Sequence, residues 1–269
     1  FQGGIQMLGK VMKYDIKYLN KLILPYYLIL FGLGAIVRVL GMIGKHNSIV
    51  KITSSLVSGI FYIAIAMVLV YTLVILLKRF YDNTYKDEGY LTHTLPVKRG
   101  YFLDSKAIVS IIYVVLGMAS MVGSWMLGKY SPEGIDFIKG LLNEVEKGLG
   151  YEGWKIIAYL IVIILVTFYS YLFMIMAGMS IGQSFQDKRV LWSVVFSVVL
   201  YYISQIVSTV FMLVFSFGVM DMNSLLKADT NPTGYVNYSI AIGLGLSLVF
   251  TVVYYVIARW NLKRKLNLI

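Results

Sequence analysis

Apolar residues fill six stretches long enough to cross a bilayer, at about 22–43, 54–77, 107–127, 156–181, 190–219 and 238–259. A spanning helix needs about 20 such residues, because each adds ~1.5 Å of rise against ~30 Å of hydrocarbon. The runs predict an all-α polytopic membrane protein with six transmembrane helices. These form a single transmembrane domain over residues 7–269, preceded at 1–6 by a tag remnant and linker. FQGG reads as the scar of a protease-cleavable tag and Met7 as a native start.

A different pattern precedes the first run. Lys10, Lys13, Lys17 and Lys21 recur at spacings of three and four, and Leu8, Val11, Met12 and Leu19 fall largely opposite them. Such spacing describes a basic amphipathic helix on the inner leaflet, serving as an anchor or as an elbow that passes movement to the first span. Between the third and fourth runs, Ser131 and Pro132 suit a helix start. Ile135, Ile138, Leu141, Leu142, Val145 and Leu149 then make an apolar stripe before Gly150. Asn231-Pro232 marks a turn before the last run.

Two runs carry polar residues in register. In the fifth, Ser193, Ser197, Tyr201, Ser204 and Ser208 share one face, with Gln205 beside it. In the second, Ser55, Ser58, Gly59, Tyr62 and Ala66 form a weaker version. Hydroxyls and amides in lipid seek a partner, so each stripe is either glue between helices or the lining of a translocation path. Gly178 and Gly182, four apart beside Ala177, mark a close helix approach.

Composition agrees with a bilayer as solvent: 59% of the 269 residues are hydrophobic and 14% charged, against roughly 25% charged in soluble domains. Mean hydropathy is +0.77. The net charge of +11 is spread over the ends of apolar runs, which argues for basic loops and against nucleic-acid binding. With both termini inside, the inner segments hold 16 Lys and Arg and the outer ones seven, so the orientation expected is N-in, C-in. Trp125 and Trp154 then mark the outer interface and Trp192 and Trp260 the inner one.

The chain offers little chemistry of its own. It has no cysteine, and its two histidines, His46 and His93, fall on opposite sides of the membrane, so no metal site is expected. No Asp or Glu lies within a predicted span, which leaves no evident means of using an ion gradient. Gly123, Gly128 and Lys129 imitate the start of a phosphate-binding loop, but Tyr130 stands where Ser or Thr belongs. No catalytic residues are expected, and energy for any active transport must come from another polypeptide.

The longest inner segment, Lys78 to Lys106, reads KRFYDNTYKDEGYLTHTLPVKRGYFLDSK. Phe80, Tyr81, Tyr85, Tyr90, Leu91 and Leu95 give it an apolar side, and Asp82, Asp87, Glu88, Lys98 and Arg99 a charged one. Asp82 or Asn83 suits the cap of a short helix that Pro96 ends, a natural docking element for a partner. The run RFYDNTYKDEGYLTHTLPV at 79–97, the following Lys106 and the opening KYDIKYLNK at 13–21 resemble ABC-2 type permeases. These are six-span subunits of bacterial type V ABC exporters, in a peptide- and drug-exporting group common in Firmicutes. The resemblance implies an elbow helix and a cytoplasmic coupling helix in which Asp87, Glu88, Gly89, Tyr90, Leu91, Leu95 and Pro96 meet an ABC ATPase. The turn Gln183 to Arg189 would be a second, smaller contact. It further implies two ATPase copies carrying ATP and Mg²⁺, and a second permease copy or paralogue, in the bacterial cytoplasmic membrane. Spans two and five would face a central path, which would place Ser55, Ser58, Tyr62, Ser193, Ser197, Tyr201, Ser204, Gln205 and Ser208 along it. Amphipathic or antimicrobial and toxin-like peptides are the expected cargo. The alternatives are the substrate-binding membrane subunit of an ABC importer and a non-transporting peptide-immunity protein.

Overall fold

The computed structural model describes residues 2–44, 48–86, 100–129, 139–140, 142–147, 152–219 and 232–264. Among these residues run six long helices: α1 (Gln2–Ile43), α2 (Ser48–Tyr85), α3 (Gly100–Lys129), α4 (Gly153–Gly182), α5 (Arg189–Val219) and α6 (Pro232–Arg264). A short helical turn occupies 142–147, and the described residues contain no strand. Each long helix holds a stretch long and apolar enough to cross a bilayer. Several are rich in Val and Ile, α5 above all, and such residues favour strands in water. In lipid a lone strand would leave its backbone polar groups unpaired, so the helix wins.

The helices outrun the predicted spans. The basic segment expected as a separate surface helix continues without a break into the first span, and α1 already includes residues of FQGG. At 42 residues it is about 63 Å long, twice the hydrocarbon thickness. Lys10, Lys13, Lys17 and Lys21 are exposed as the periodicity predicts. Leu19 on the other side is fully buried, so protein rather than lipid covers that face there. The segment between the second and third runs is shorter than its sequence suggests, since α2 runs on to Tyr85 and α3 begins at Gly100. Asp82 and Asn83, expected at a helix start, lie inside α2. Of the outer helix expected over 131–154, residues 139–140 and 142–147 are described and helical, and Trp154 belongs to α4. Pro232 opens α6, where its missing N–H costs nothing.

The chain divides into two compact units, Phe1–Phe137 and Ile138–Ile269. In the first, α1 lies against both α2 and α3. Three levels of contact fix its register. At one end Asp15 of α1 meets Arg79 of α2 and Ser105 of α3. Midway, the Tyr27 hydroxyl lies 2.9 Å from Thr72 Oγ1 and 3.0 Å from the Tyr113 carbonyl. Near the other end, a Cβ on Gly34 would stand 2.7 Å from the Ser124 carbonyl, so only glycine permits this approach of α1 to α3. Pro25 sits inside α1, where its ring removes one backbone bond and crowds the preceding turn. The Tyr71 hydroxyl donates to the Leu22 carbonyl in that turn at 3.0 Å.

In the second unit α4 is central, packed along both α5 and α6, while α5 and α6 touch each other sparsely. Consecutive α4 and α5 are antiparallel, joined by a tight turn in which Lys188 takes a left-handed backbone (φ 49). Phe185 of the turn stacks on Trp192 at 4.8 Å and on Phe196 at 5.5 Å. At the far end of α4, Trp154 Nε1 donates to Glu152. That bond, then Lys155, hold the Glu152 carboxyl below the usual carboxylate range.

Candidate functional site

The first constellation lies where α1, α2 and α3 meet beside the ends of α2 and α3. Asp15 is fully buried. Its Oδ1 accepts from Arg79 Nε at 3.1 Å and Asn83 Nδ2 at 3.0 Å, and its Oδ2 accepts from Ser105 Oγ at 2.7 Å. Lys106 Nζ, on a fully buried side chain, completes the set at 2.5 Å from Oδ2. Tyr18 offers its ring to the Arg79 guanidinium, 4.4 Å away. Three hydrogen bonds and the Lys106 ammonium, from two helices, surround the carboxylate. Desolvating an ion costs several kcal/mol, which such a set of partners offsets. The weak helix formers of YDNTY stay helical because Asn83 has this tertiary partner. The clamp therefore ties α1 to the ends of both α2 and α3.

The expected coupling residues Asp87, Glu88, Gly89, Tyr90, Leu91, Leu95 and Pro96, like His93, Lys98 and Arg99, lie outside the described residues. Of the second-run stripe, Ser58 is buried while Ser55 and Tyr62 are exposed on the first unit.

The fifth-run stripe divides into two parts with different neighbours. Its first part packs on α4. A Cβ on Gly178 would stand 2.7 Å from the Ser197 backbone nitrogen, and one on Gly182 would overlap the Ser193 backbone outright. Ser193 Oγ donates to its own helix at Arg189 (2.9 Å) and reaches the Met179 carbonyl of α4 at 3.4 Å. Ser193 and Ser197 thus act where the helices touch. Beyond them α5 and α6 separate, and a cavity of about 260 Å³ opens between α4, α5 and α6. Tyr201, Ser204, Gln205 and Ser208 line it together with Met212. From α4 come Thr167, Ser170, Tyr171 and Met174, and from α6 Gly243, Leu246, Ser247 and Phe250.

No family model, curated protein or solved structure matches this chain.

The lining has no carboxylate, ammonium, guanidinium or imidazole. Ser204 Oγ donates to the Tyr201 carbonyl and Ser247 Oγ to the Gly243 carbonyl, both at 2.8 Å. Thr167, Ser170, Gln205 and Ser208 add hydroxyl and amide groups that can donate as well as accept. Tyr171 and Tyr201 run nearly parallel at one edge, with centroids 6.5 Å apart. The α4 and α6 contributors escaped sequence reading because each is one small or polar residue in an apolar run. Only Gly243 and Ser247, four apart and so on one helix face, hinted at a face without bulk. Asp15 escaped because a lone acid among lysines reads as solvated surface. No group of three or more metal-ligating side chains occurs among the described residues.

Proposed function

We infer that this chain is the membrane-spanning permease subunit of an ATP-driven exporter. The observation that carries the reading is an uncharged, polar-lined cavity between three helices apolar enough to cross a bilayer. Hydroxyls and an amide at that depth need a polar visitor or water, and a wall without full charges suits an amphipathic cargo such as a membrane-active peptide. The resemblance of residues 79–97 to the ATPase-facing loop of ABC-2 type permeases supplies the energy source. Two ATPase copies, carrying ATP and Mg²⁺, would grip that loop, and a second permease copy or paralogue would complete the assembly. Both termini would lie inside the bacterial cytoplasmic membrane. The lysine-bearing start of α1 would then meet the anionic inner leaflet. The Asp15 clamp supports the same reading, because force entering the loop reaches α1 as well as α2 and α3. ATP binding would move the loop and shift the access equilibrium, which needs only a few kcal/mol.

The test joins composition to transport. The chain should copurify with an ATP-hydrolysing subunit. The double variant Glu88→Lys, Gly89→Pro should insert at normal levels yet lose at least about tenfold of its peptide export, equivalent to ~1.4 kcal/mol or more of coupling. Normal export by that variant removes the coupling reading, and a chain that purifies without any nucleotide-hydrolysing partner removes the exporter reading.

A further inference from the structure

We propose that the lysine face of α1 is a binding site for an anionic phospholipid, with Lys17 and Lys21 holding one phosphate and Leu24 and Leu28 lying along its acyl chain. The packing of α1 defines that face. Asp15, Tyr18, Leu22 and Tyr26 look toward α2, where they meet Arg79 and Tyr71. Ile16, Asn20 and Tyr27 meet Tyr113 of α3. With about 3.6 residues per turn, the side left over carries Lys10, Lys13, Lys17, Lys21, Leu24 and Leu28. All six are exposed. One face of one helix thus changes from ammonium to hydrocarbon between positions 21 and 24, as a lipid does between its headgroup and its chains.

Depth decides which lysines reach a headgroup. Lys21 and the exposed Arg38 flank the apolar run of α1, 17 positions apart with no charge between them. Along a helix that is about 25 Å, and their long side chains extend the span to match a hydrocarbon layer of ~30 Å. Lys17 then stands about 6 Å beyond Lys21, within a headgroup layer of roughly 5–7 Å, while Lys13 and Lys10 stand about 12 and 16 Å beyond it. The helix is continuous here and Asp15 is held by α2 and α3, so this stretch does not fold down as a separate surface helix.

Charge decides the class of lipid. Residues four apart on a helix are neighbours, so two ammonium groups can share one phosphate. Asp15 is the single acid of α1, and it is turned inward onto Arg79 and Lys106. No carboxylate of this helix therefore offsets the lysines. A zwitterionic headgroup brings its own ammonium beside them, whereas a headgroup of net negative charge does not. A soluble acidic protein fits less well, because Lys17 and Lys21 stand level with the headgroups and run directly into the exposed leucines. The site requires only that α1 crosses a bilayer, so it stands apart from the exporter reading.

The chain has no cysteine, so Leu28→Cys accepts a single fluorophore on this face. The label lies about 10 Å below Lys21, near the middle of an acyl chain. The full chain in phosphatidylcholine nanodiscs is titrated with brominated phosphatidylglycerol or brominated phosphatidylcholine, and quenching of the label is followed. Phosphatidylglycerol should reach half-maximal quenching at a mole fraction at least about fivefold lower. The variant Lys17→Gln, Lys21→Gln should bring the two lipids within about twofold of each other, and Lys17→Arg, Lys21→Arg should keep the preference. Lys10→Gln, Lys13→Gln removes the same charge farther out and should keep most of the preference, since the Debye length is about 8 Å. Equal quenching by both lipids, equal losses in the two glutamine variants, or displacement of the lipid by inorganic phosphate overturns the proposal. A lipid preference in a chain that recruits no ATPase keeps this site and removes only the exporter reading.

Discussion

Asp15→Ala should destabilise the first unit by roughly 3–5 kcal/mol, the usual cost of removing one partner from a buried ion pair. The Asp15 side chain is 1% exposed, and Lys106 opposite is 0% exposed. Deleting the carboxylate withdraws the counter-charge from two buried cations at once, Arg79 and Lys106. Against a total stability of about 5–15 kcal/mol, this is a large fraction. Thermal unfolding in detergent should show Tm lower by about 10 °C. Asp15→Asn, which keeps the shape and half of the acceptor capacity, should fall between. The double variant Asp15→Leu, Lys106→Met should recover part of the loss, because an apolar replacement of a buried pair is often neutral. A Tm for Asp15→Ala within a degree of the parent would mean that water reaches the cluster and screens it. The clamp also predicts a split readout in the assembled exporter: Asp15→Asn should depress transport more than ATP hydrolysis, since the loop remains and its tie to α1 weakens.

The second large effect is expected at Gly182. The methyl group added by Gly182→Ala would overlap the backbone of Ser193 and stand 2.5 Å from Ser193 Oγ. Backbone cannot rotate out of the way as a side chain can, so α4 and α5 must separate at the turn. Overpacking of this kind costs about 1–3 kcal/mol, and more where two helix backbones are the obstacle. Gly178→Ala should behave alike, because Ser197 Cα and N both lie 2.7 Å from the added atom. The two substitutions should not add, since the first already parts the helices. Gly243→Ala is the matched control: its Cβ meets nothing, and it should leave Tm unchanged or slightly raised. Equal behaviour of all three variants in thermal unfolding would contradict the close α4–α5 contact. Ser193→Gly should rescue Gly182→Ala only weakly, because the obstruction is main chain as well as hydroxyl.

The six helices long and apolar enough to cross a bilayer were legible in the sequence because length and hydropathy are local quantities, and the hydrocarbon imposes a minimum on both. Gly178 and Gly182 were legible as a contact for a similar reason: four-residue spacing puts them on one face, whatever that face meets. The α5 stripe shows where such reasoning stops. Ser193, Ser197, Tyr201, Ser204 and Ser208 share a face by periodicity, and both of its uses, glue and lining, were open. The structure divides it by neighbour, with Ser193 and Ser197 against glycines and the remainder beside space. Helix ends were less legible. The sequence breaks α2 near its charged YDNTY segment, whereas tertiary bonds carry the helix on through Asn83 to Tyr85.

By itself the sequence determined the solvent, the number and approximate positions of the long helices, and which of their faces carry polar groups, since each follows from residues within a few turns of one another. Only the tertiary structure decided that Asp15 is buried, that its charge is met from positions 64 and 90 residues away, and that α5 and α6 part to leave a cavity. Those outcomes depend on where distant backbone lies, and a short-range pattern of hydropathy holds no information about that distance.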